Sequence, residues 1–291
     1  MPARLILNAD DFGLTSGINR AIGELSAAGV LTSATLMANG PAFDDAVTMA
    51  RAHSALGVGC HVVLTDGVPI SRPETIPSLL GADGKSFRPS VVEFVRALLL
   101  GRIREDDVAR EATAQIEKLQ GAGIRVTHID THKHTHLFPS VLRPLLEVAG
   151  RTGVHAIRNP FEPAWSLALG QGSLGRRVAV RLVGGLRRRF NAQPQIRDGL
   201  VLTTDGTIAI SATGHLNSTT LAEILLALPA EGTYELCCHP GYCDDDLSRV
   251  KTRLRAHRDV EREALLSEVS GVLNRPNAPV LMQYGGLGAL D

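Results

Sequence analysis

The chain has 291 residues, 44% hydrophobic and only 4% aromatic, with 30 basic side chains against 30 acidic ones. Zero net charge with neutral histidines excludes nucleic acid as a bulk partner. At this length the chain can bury a large core, and α/β barrels of similar size are routinely one domain.

Apolar, β-rich runs alternate with helical patterns from the start. The first run, Leu5-Ile6-Leu7, reads as a buried strand that closes on Asn8-Ala9-Asp10-Asp11-Phe12-Gly13. Two adjacent carboxylates at a strand end repel unless something cationic sits beside them. A turn with a helix N-cap would account for the pair locally, because Asp favours helix starts and Gly the bend. The helix Ser16–Ala28 follows, then a strand at Ser33–Ala38 with Asn39 at its end and a helix at Ala42–Arg51. The third strand, Leu56–Val62, carries His61. After it comes Thr65–Pro89, a long loop with Pro69, Pro73, Pro77, Gly81 and Gly84; loops of that size in a compact domain are usually lids or binding loops.

Helices at Val91–Leu100 and Asp106–Gly121 come next. The second has acids at its start and Val108, Ala112, Ile116 and Leu119 spaced for one buried face, and Gly121 and Gly123 end it. The strand Val126–Asp130 runs into Asp130-Thr131-His132-Lys133-His134-Thr135-His136, and a helix follows at Ser140–Thr152. Further strands are expected at His155–Arg158, Leu200–Leu202, Thr233–Cys238 and Val280–Gln283, with helices at Ser218–Leu228 and Lys251–Leu273. The segment Pro163–Arg197 stands apart, with seven arginines (176, 177, 181, 187, 188, 189 and 197) and no acid. Arg177, Arg181 and Arg188 can share one helix face, with Leu182, Leu186 and Phe190 on another. Such a basic amphipathic pattern suits weak contact with an anionic membrane or a phosphate. A solvated helix paired with acids such as Asp244-Asp245-Asp246 is the simpler account, and Gly184 and Gly185 weaken the helix.

Repeated strand-then-helix units imply a mainly parallel sheet with helices outside it. Eight candidate strands suggest a distorted (β/α) barrel in a single domain, residues 1–291. The polar residues favour the barrel over an open doubly wound sheet. Asp10, Asp11, Asn39, His61, Asp130, His132, Arg158 and His239 all fall at C-terminal strand ends, whereas an open sheet gathers its chemistry at one switch point.

Asp11, His61 and one of His132, His134 and His136 make a donor set suited to a divalent cation, with positions left open for water and substrate. His61 alone would pass as a core histidine, but an apolar core has no use for three alternating imidazoles. Asp10 is then free to take a proton from the attacking water. His239, in Cys237-Cys238-His239-Pro240-Gly241, suits a general acid because imidazole titrates in the right range. The spacing of Cys237, Cys238, His239 and Cys243 lacks the paired arrangement of a structural zinc knot. Nor do Cys60, Cys237, Cys238 and Cys243 make a disulfide framework, so a reduced cytoplasmic setting is expected. No apolar stretch reaches a membrane span, and none near Met1 is long enough for a secretory segment.

With Asn8–Gly13, Gly59-Cys60-His61, Leu31–Asn39, His128–His136 and the Cys-His-Pro-Gly segment, the chain resembles the YdjC-like carbohydrate deacetylases, a family that includes chitooligosaccharide and hopanoid-associated deacetylases. The resemblance covers most of the chain and is weakest in Pro163–Arg197 and after Val280. It implies a distorted barrel and metal-dependent removal of an N-acetyl group from an amino sugar; the arginine segment would suit a phosphate-linked or lipid-linked form of it. It places the metal on Asp11, His61 and His132, the base at Asp10 and the acid at His239. By looser analogy with other polysaccharide deacetylases, Arg158 would orient the base. Asn39, His134 and His136 are expected to contact substrate. The cofactor is one divalent ion, Zn²⁺ or Mg²⁺ first, with Mn²⁺ and Co²⁺ also suited, and a homo-oligomer is the default assembly for such an enzyme. Other metal-dependent amidohydrolases or phosphoesterases, and a glycan-binding protein on the same fold, are the alternatives.

Overall fold

The computed structural model describes residues 2–172 and 174–288. Seven strands form one parallel sheet: β1 (Arg4–Phe12), β2 (Ser33–Leu36), β3 (Gly57–Val62), β4 (Val126–Thr131), β5 (Gly206–Ile208), β6 (Thr233–Cys238) and β7 (Val280–Leu281). Their order is β4-β3-β2-β1-β6-β5, with β7 against the start of β1. The central strands are buried along almost their whole length, as expected where helices cover a parallel sheet.

The sheet curls into a half-barrel, and the missing arc is spanned by irregular chain. Isolated parallel bridges join Ile129 to Ile157 and Ala156 to Leu202. Two expected strands, His155–Arg158 and Leu200–Leu202, are therefore no more than these bridges, and Gly206–Ile208 is the strand in their place. Pro160 has no N–H to extend a ladder. Asp205-Gly206 reads locally as a turn, yet the glycine is required inside the sheet. A Cβ at Gly206 would lie 2.9 Å from the Phe161 carbonyl and 2.9 Å from the Pro163 ring. The Thr207 N–H then donates to Phe161 O at 3.2 Å, which ties the arc together.

Helices form close to where periodicity and caps place them. The helix Ser16–Ala27 starts at Thr15, whose Oγ1 accepts from Ile18 N at 3.2 Å. Asn217 and Asp244 cap later helices in the same way. Helix Glu105–Gly121 buries the expected Val108, Ala112, Ile116 and Leu119. It also buries a polar stripe, Asp107, Glu111 and Gln115, that fastens the 65–89 loop. Asp107 accepts from Ser78 N, Glu111 from Ile70 N and Ser71 N, each at 2.9 Å, and Gln115 pairs with both backbone groups of Val63. Two short 3₁₀ turns, a Leu80–Phe87 bridge and buried Ile76 and Leu79 give the loop a packed form of its own.

The arginine segment departs from the amphipathic helix expected of it. Leu174–Val183 is helical, Gly184–Leu186 tightens to 3₁₀, and Arg187–Asn191 starts afresh. The break turns Phe190 into the core and leaves Leu182 exposed, so Leu182, Leu186 and Phe190 share no face. Among the described residues, Asp244, Asp245 and Asp246 make no ion pair with these arginines.

Below the sheet, β7 leads Tyr284 into the interior. Its ring stacks on His128 at 3.8 Å between centroids, and its hydroxyl donates to Glu235. Among the described residues no helix is long and apolar enough to cross a membrane.

Candidate metal centre and active site

In a regular strand, Asp10 and Asp11 would point to opposite faces of the sheet. Here the β1–β2 register shifts between Ala9 and Phe12, and Asp11 takes the left-handed φ of 64°. This bulge turns both carboxylates toward the C-terminal end of the sheet, the re-aiming for which bulges beside active sites are known. Aspartate tolerates that backbone better than most residues.

Asp11 meets two histidines there. Its Oδ1 lies 3.6 Å from His61 Nε2 and 3.3 Å from His132 Nδ1, and the two ring nitrogens are 3.3 Å apart. Donors bonded at about 2.1 Å in a tetrahedron stand about 3.4 Å apart, so the three atoms already form one face of a zinc-like site. The three residues make a compact cluster able to hold a metal. His61 and Asp130 are in register on adjacent strands, and His61 Nδ1 bonds Asp130 Oδ1 at 2.7 Å. That contact turns Nε2 toward Asp11, the usual support for a ligating imidazole. The remaining Asp11 oxygen takes an ion pair from buried Arg258 at 2.5 Å.

The electrostatics of the cluster suit a cation. Burial alone would depress the His61 pKa, but Asp130, then Asp10 and Asp11, raise it to about 9. The imidazole thus holds a proton that balances neighbouring carboxylates, and a bound cation would displace it. Burial raises Asp11, but Arg258, His132 and His61 bring it well below the carboxylate range.

Asp10 sits beside this triad, gripped on both oxygens. Arg158 donates from Nη1 to Oδ2 at 2.8 Å and from Nη2 to Oδ1 at 2.6 Å. Asn8 Nδ2 and Thr35 Oγ1 add bonds to Oδ1 at 3.1 and 3.2 Å. Against the cost of burial, Arg158 holds this carboxyl well below its ordinary range. Arg158 is itself fully buried and also pairs with Asp130 at 2.5 Å and Glu235 at 2.6 Å. Three carboxylates around one guanidinium satisfy the demand of a buried charge.

His239 follows β6, with Nε2 3.8 Å from Asp10 Oδ2. Its Nδ1 is buried without a hydrogen-bond partner and lies 4.0 Å from Glu261 Oε2. Burial lowers His239 to about 4 and raises Glu261 to about 7. Glu261 Oε2 also accepts the His239 N–H at 2.6 Å, which fixes the turn carrying the imidazole.

Lys133 and His134 have left-handed φ of 59° and 51°, a strained pair directly after His132. His134 Nδ1 is buried without a partner, and burial lowers its pKa to about 3. His136 is fully buried; its Nδ1 bonds Thr131 Oγ1 at 2.7 Å while Nε2 has no partner. Asn39 donates to Val68 O at 3.0 Å and so joins the end of β2 to the long loop. Glu235, Arg258 and Glu261 belong to the site and were not singled out from the sequence, while Asp130 was placed at a strand end without a role of its own. Asp130 and Glu235 carried a signal, a carboxylate within a buried strand. Arg258 and Glu261 carried none, since their helix is charged throughout. All four cysteines are free, and Cys237 Sγ lies 3.5 Å from Asp10 Oδ2.

The model of the YdjC-like protein family matches residues 4–271. The chain belongs to that family. It is 29% identical to a carbohydrate deacetylase of Thermoanaerobacter pseudethanolicus over 280 residues, covering 96% of this chain and 97% of that one. It is 30% identical to a chitooligosaccharide deacetylase of Enterobacter sp., covering 86% of each. A carbohydrate deacetylase of Brevibacillus brevis is 42% identical over 146 residues, which span 50% of this chain and 55% of that one. In that match the chain spans about half the length of its relative. In structure, an Enterococcus faecalis V583 protein named for cellobiose-phosphate cleavage superposes with a TM-score of 0.77 at 25% identity, covering 99% of both chains.

Proposed function

We propose that this YdjC-like protein is a metal-dependent carbohydrate N-deacetylase, hydrolysing an N-acetyl amino sugar to acetate and the free amine. The observation that carries this reading is the Asp11–His61–His132 face beside an Asp10 held on both oxygens. The names of the full-length relatives support the same substrate class. Asp11 Oδ1, His61 Nε2 and His132 Nδ1 would hold one divalent cation, with Zn²⁺ favoured by their tetrahedral spacing. Such an ion, when bound, polarises the amide carbonyl and acidifies water.

The remaining work falls to side chains of this chain. Arg158 fixes both oxygens of Asp10, so that the carboxylate accepts the proton of the attacking water without reorienting. His239 delivers a proton to the departing sugar nitrogen, which cannot leave as an anion. Since His239 rests neutral, its proton must arrive during turnover, and Asp10 at 3.8 Å is the nearest source. Glu261 holds the imidazole's backbone in place. His134, at the strained turn after His132, is the candidate to orient the sugar.

The test is acetate release from N-acetylglucosamine oligomers by zinc-loaded protein, wild type against Asp10→Asn. Acetate from the wild type, with a loss of about 10²–10⁴-fold in the variant, is expected. Metal bound stoichiometrically with no acetate from any acetylated sugar would overturn the reading.

A further inference from the structure

The helix Leu174–Val183 wears its apolar side outward. Leu174, Val178 and Leu182, spaced i, i+4, i+8 along one face, are 76, 48 and 74% exposed, and no residue of this ten-residue helix is buried. Val180 and Val183, on the side toward the protein, are only half-buried. Ordinary surface helices do the reverse, and a contiguous exposed apolar stripe marks a surface that something else covers.

The charge around the stripe identifies the kind of partner. Residues 163–197 hold seven arginines and no acid. Among the described residues, no carboxylate lies within ion-pair distance of Arg177, Arg181, Arg188 or Arg189. A second copy docked through the same face would bring these uncompensated arginines against themselves, because a two-fold contact is self-complementary. An acidic partner avoids that conflict. An apolar ridge flanked by arginines is how a helix lies in the headgroup region of an anionic bilayer.

Position gives the contact a use. The segment is anchored near Ile210 and Ser211, just past the C-terminal end of β5. Arg176 Nη1 donates to Ile210 O at 3.4 Å, and a Cβ at Gly172 would lie 1.8 Å from Ser211 O. That is the end of the sheet at which Asp10, Asp11 and His61 gather. We infer that the face of Leu174, Val178 and Leu182, with Arg177, Arg181, Arg188 and Arg189, docks this protein on an anionic phospholipid surface. The metal-site end of the half-barrel then lies beside the membrane.

Full-length protein would be cosedimented with vesicles of phosphatidylglycerol and phosphatidylcholine, and with vesicles of phosphatidylcholine alone. Binding to the anionic vesicles only, weakened by salt, is expected. Leu174→Gln with Leu182→Gln, and separately Arg188→Ser with Arg189→Ser, should each weaken it by about tenfold or more. All of these side chains except the half-buried Arg177 are exposed, and an unchanged thermal midpoint in each variant verifies the fold. Failure to bind either vesicle overturns the inference. So does a concentration-dependent dimer, seen by sedimentation velocity, that Leu182→Gln abolishes, because the stripe would then belong to a second copy.

Discussion

Two groups of arginines divide this molecule. Arg158 and Arg258 are fully buried, the first held by three carboxylates and the second by Asp11, at 2.5–2.8 Å. Arg177, Arg181, Arg188 and Arg189 make no ion pair among the described residues. The buried pair has exchanged hydration for fixed partners and is worth most as geometry, since a guanidinium bonded on several sides cannot turn. The surface group keeps its hydration and its mobility, and its charge is available to another molecule. One side chain type thus serves two purposes, and depth decides which.

The sharpest way to break the buried half of this contrast is at its metal face. Asp11→Asn and His132→Ala should each reduce bound zinc, measured by elemental analysis, from one per chain to a trace, with acetate release falling by about 10³-fold or more. Next in size is Arg158→Met, which leaves Asp10, Asp130 and Glu235 buried around an uncharged side chain. Urea unfolding should show a loss of about 3–5 kcal/mol. Arg158→Lys should recover only part of it, because an ammonium cannot bond Asp10 on both oxygens.

Glu261 gives a pH test. Its folded pKa of about 7 lies above its ordinary 4.5, so between those values the native state binds the proton that the unfolded state has released. Stability therefore falls as pH rises from 4.5 through about 7. Glu261→Gln should remove that slope, a relative gain on the order of 3 kcal/mol at pH 8, read from unfolding free energies across the range. The smallest effect belongs to the surface group. Arg188→Ser and Arg189→Ser should move stability by less than about 0.5 kcal/mol, and a larger loss would show that these side chains are structural after all.

Much of the architecture was legible because helices and parallel strands have different periods. Six of the seven expected helices lie within two residues of their bounds, the seventh starts at Ala256 rather than Lys251, and chemistry at the strand ends pointed to a barrel. What escaped was the irregular arc. There the chain touches its neighbours at single residues, and Asp205-Gly206 reads as a turn although it enters a strand. The grouping of Asp11, His61 and His132 was legible from residue type and from the resemblance. The tilt that lets adjacent aspartates serve one site was not, since it depends on a bulge. Gly59 shows how a motif residue can have a packing cause: a Cβ there would lie 2.5 Å from the His128 ring, which bonds Asn8 beside Asp10.

The Tyr284 plug carries a consequence for biosynthesis. Its hydroxyl reaches Glu235, Glu235 reaches Arg158, and Arg158 holds Asp10, a relay spanning residues 10 to 284. On the ribosome, Asp10 is made long before Tyr284, so the network that joins them closes only when these distant segments meet.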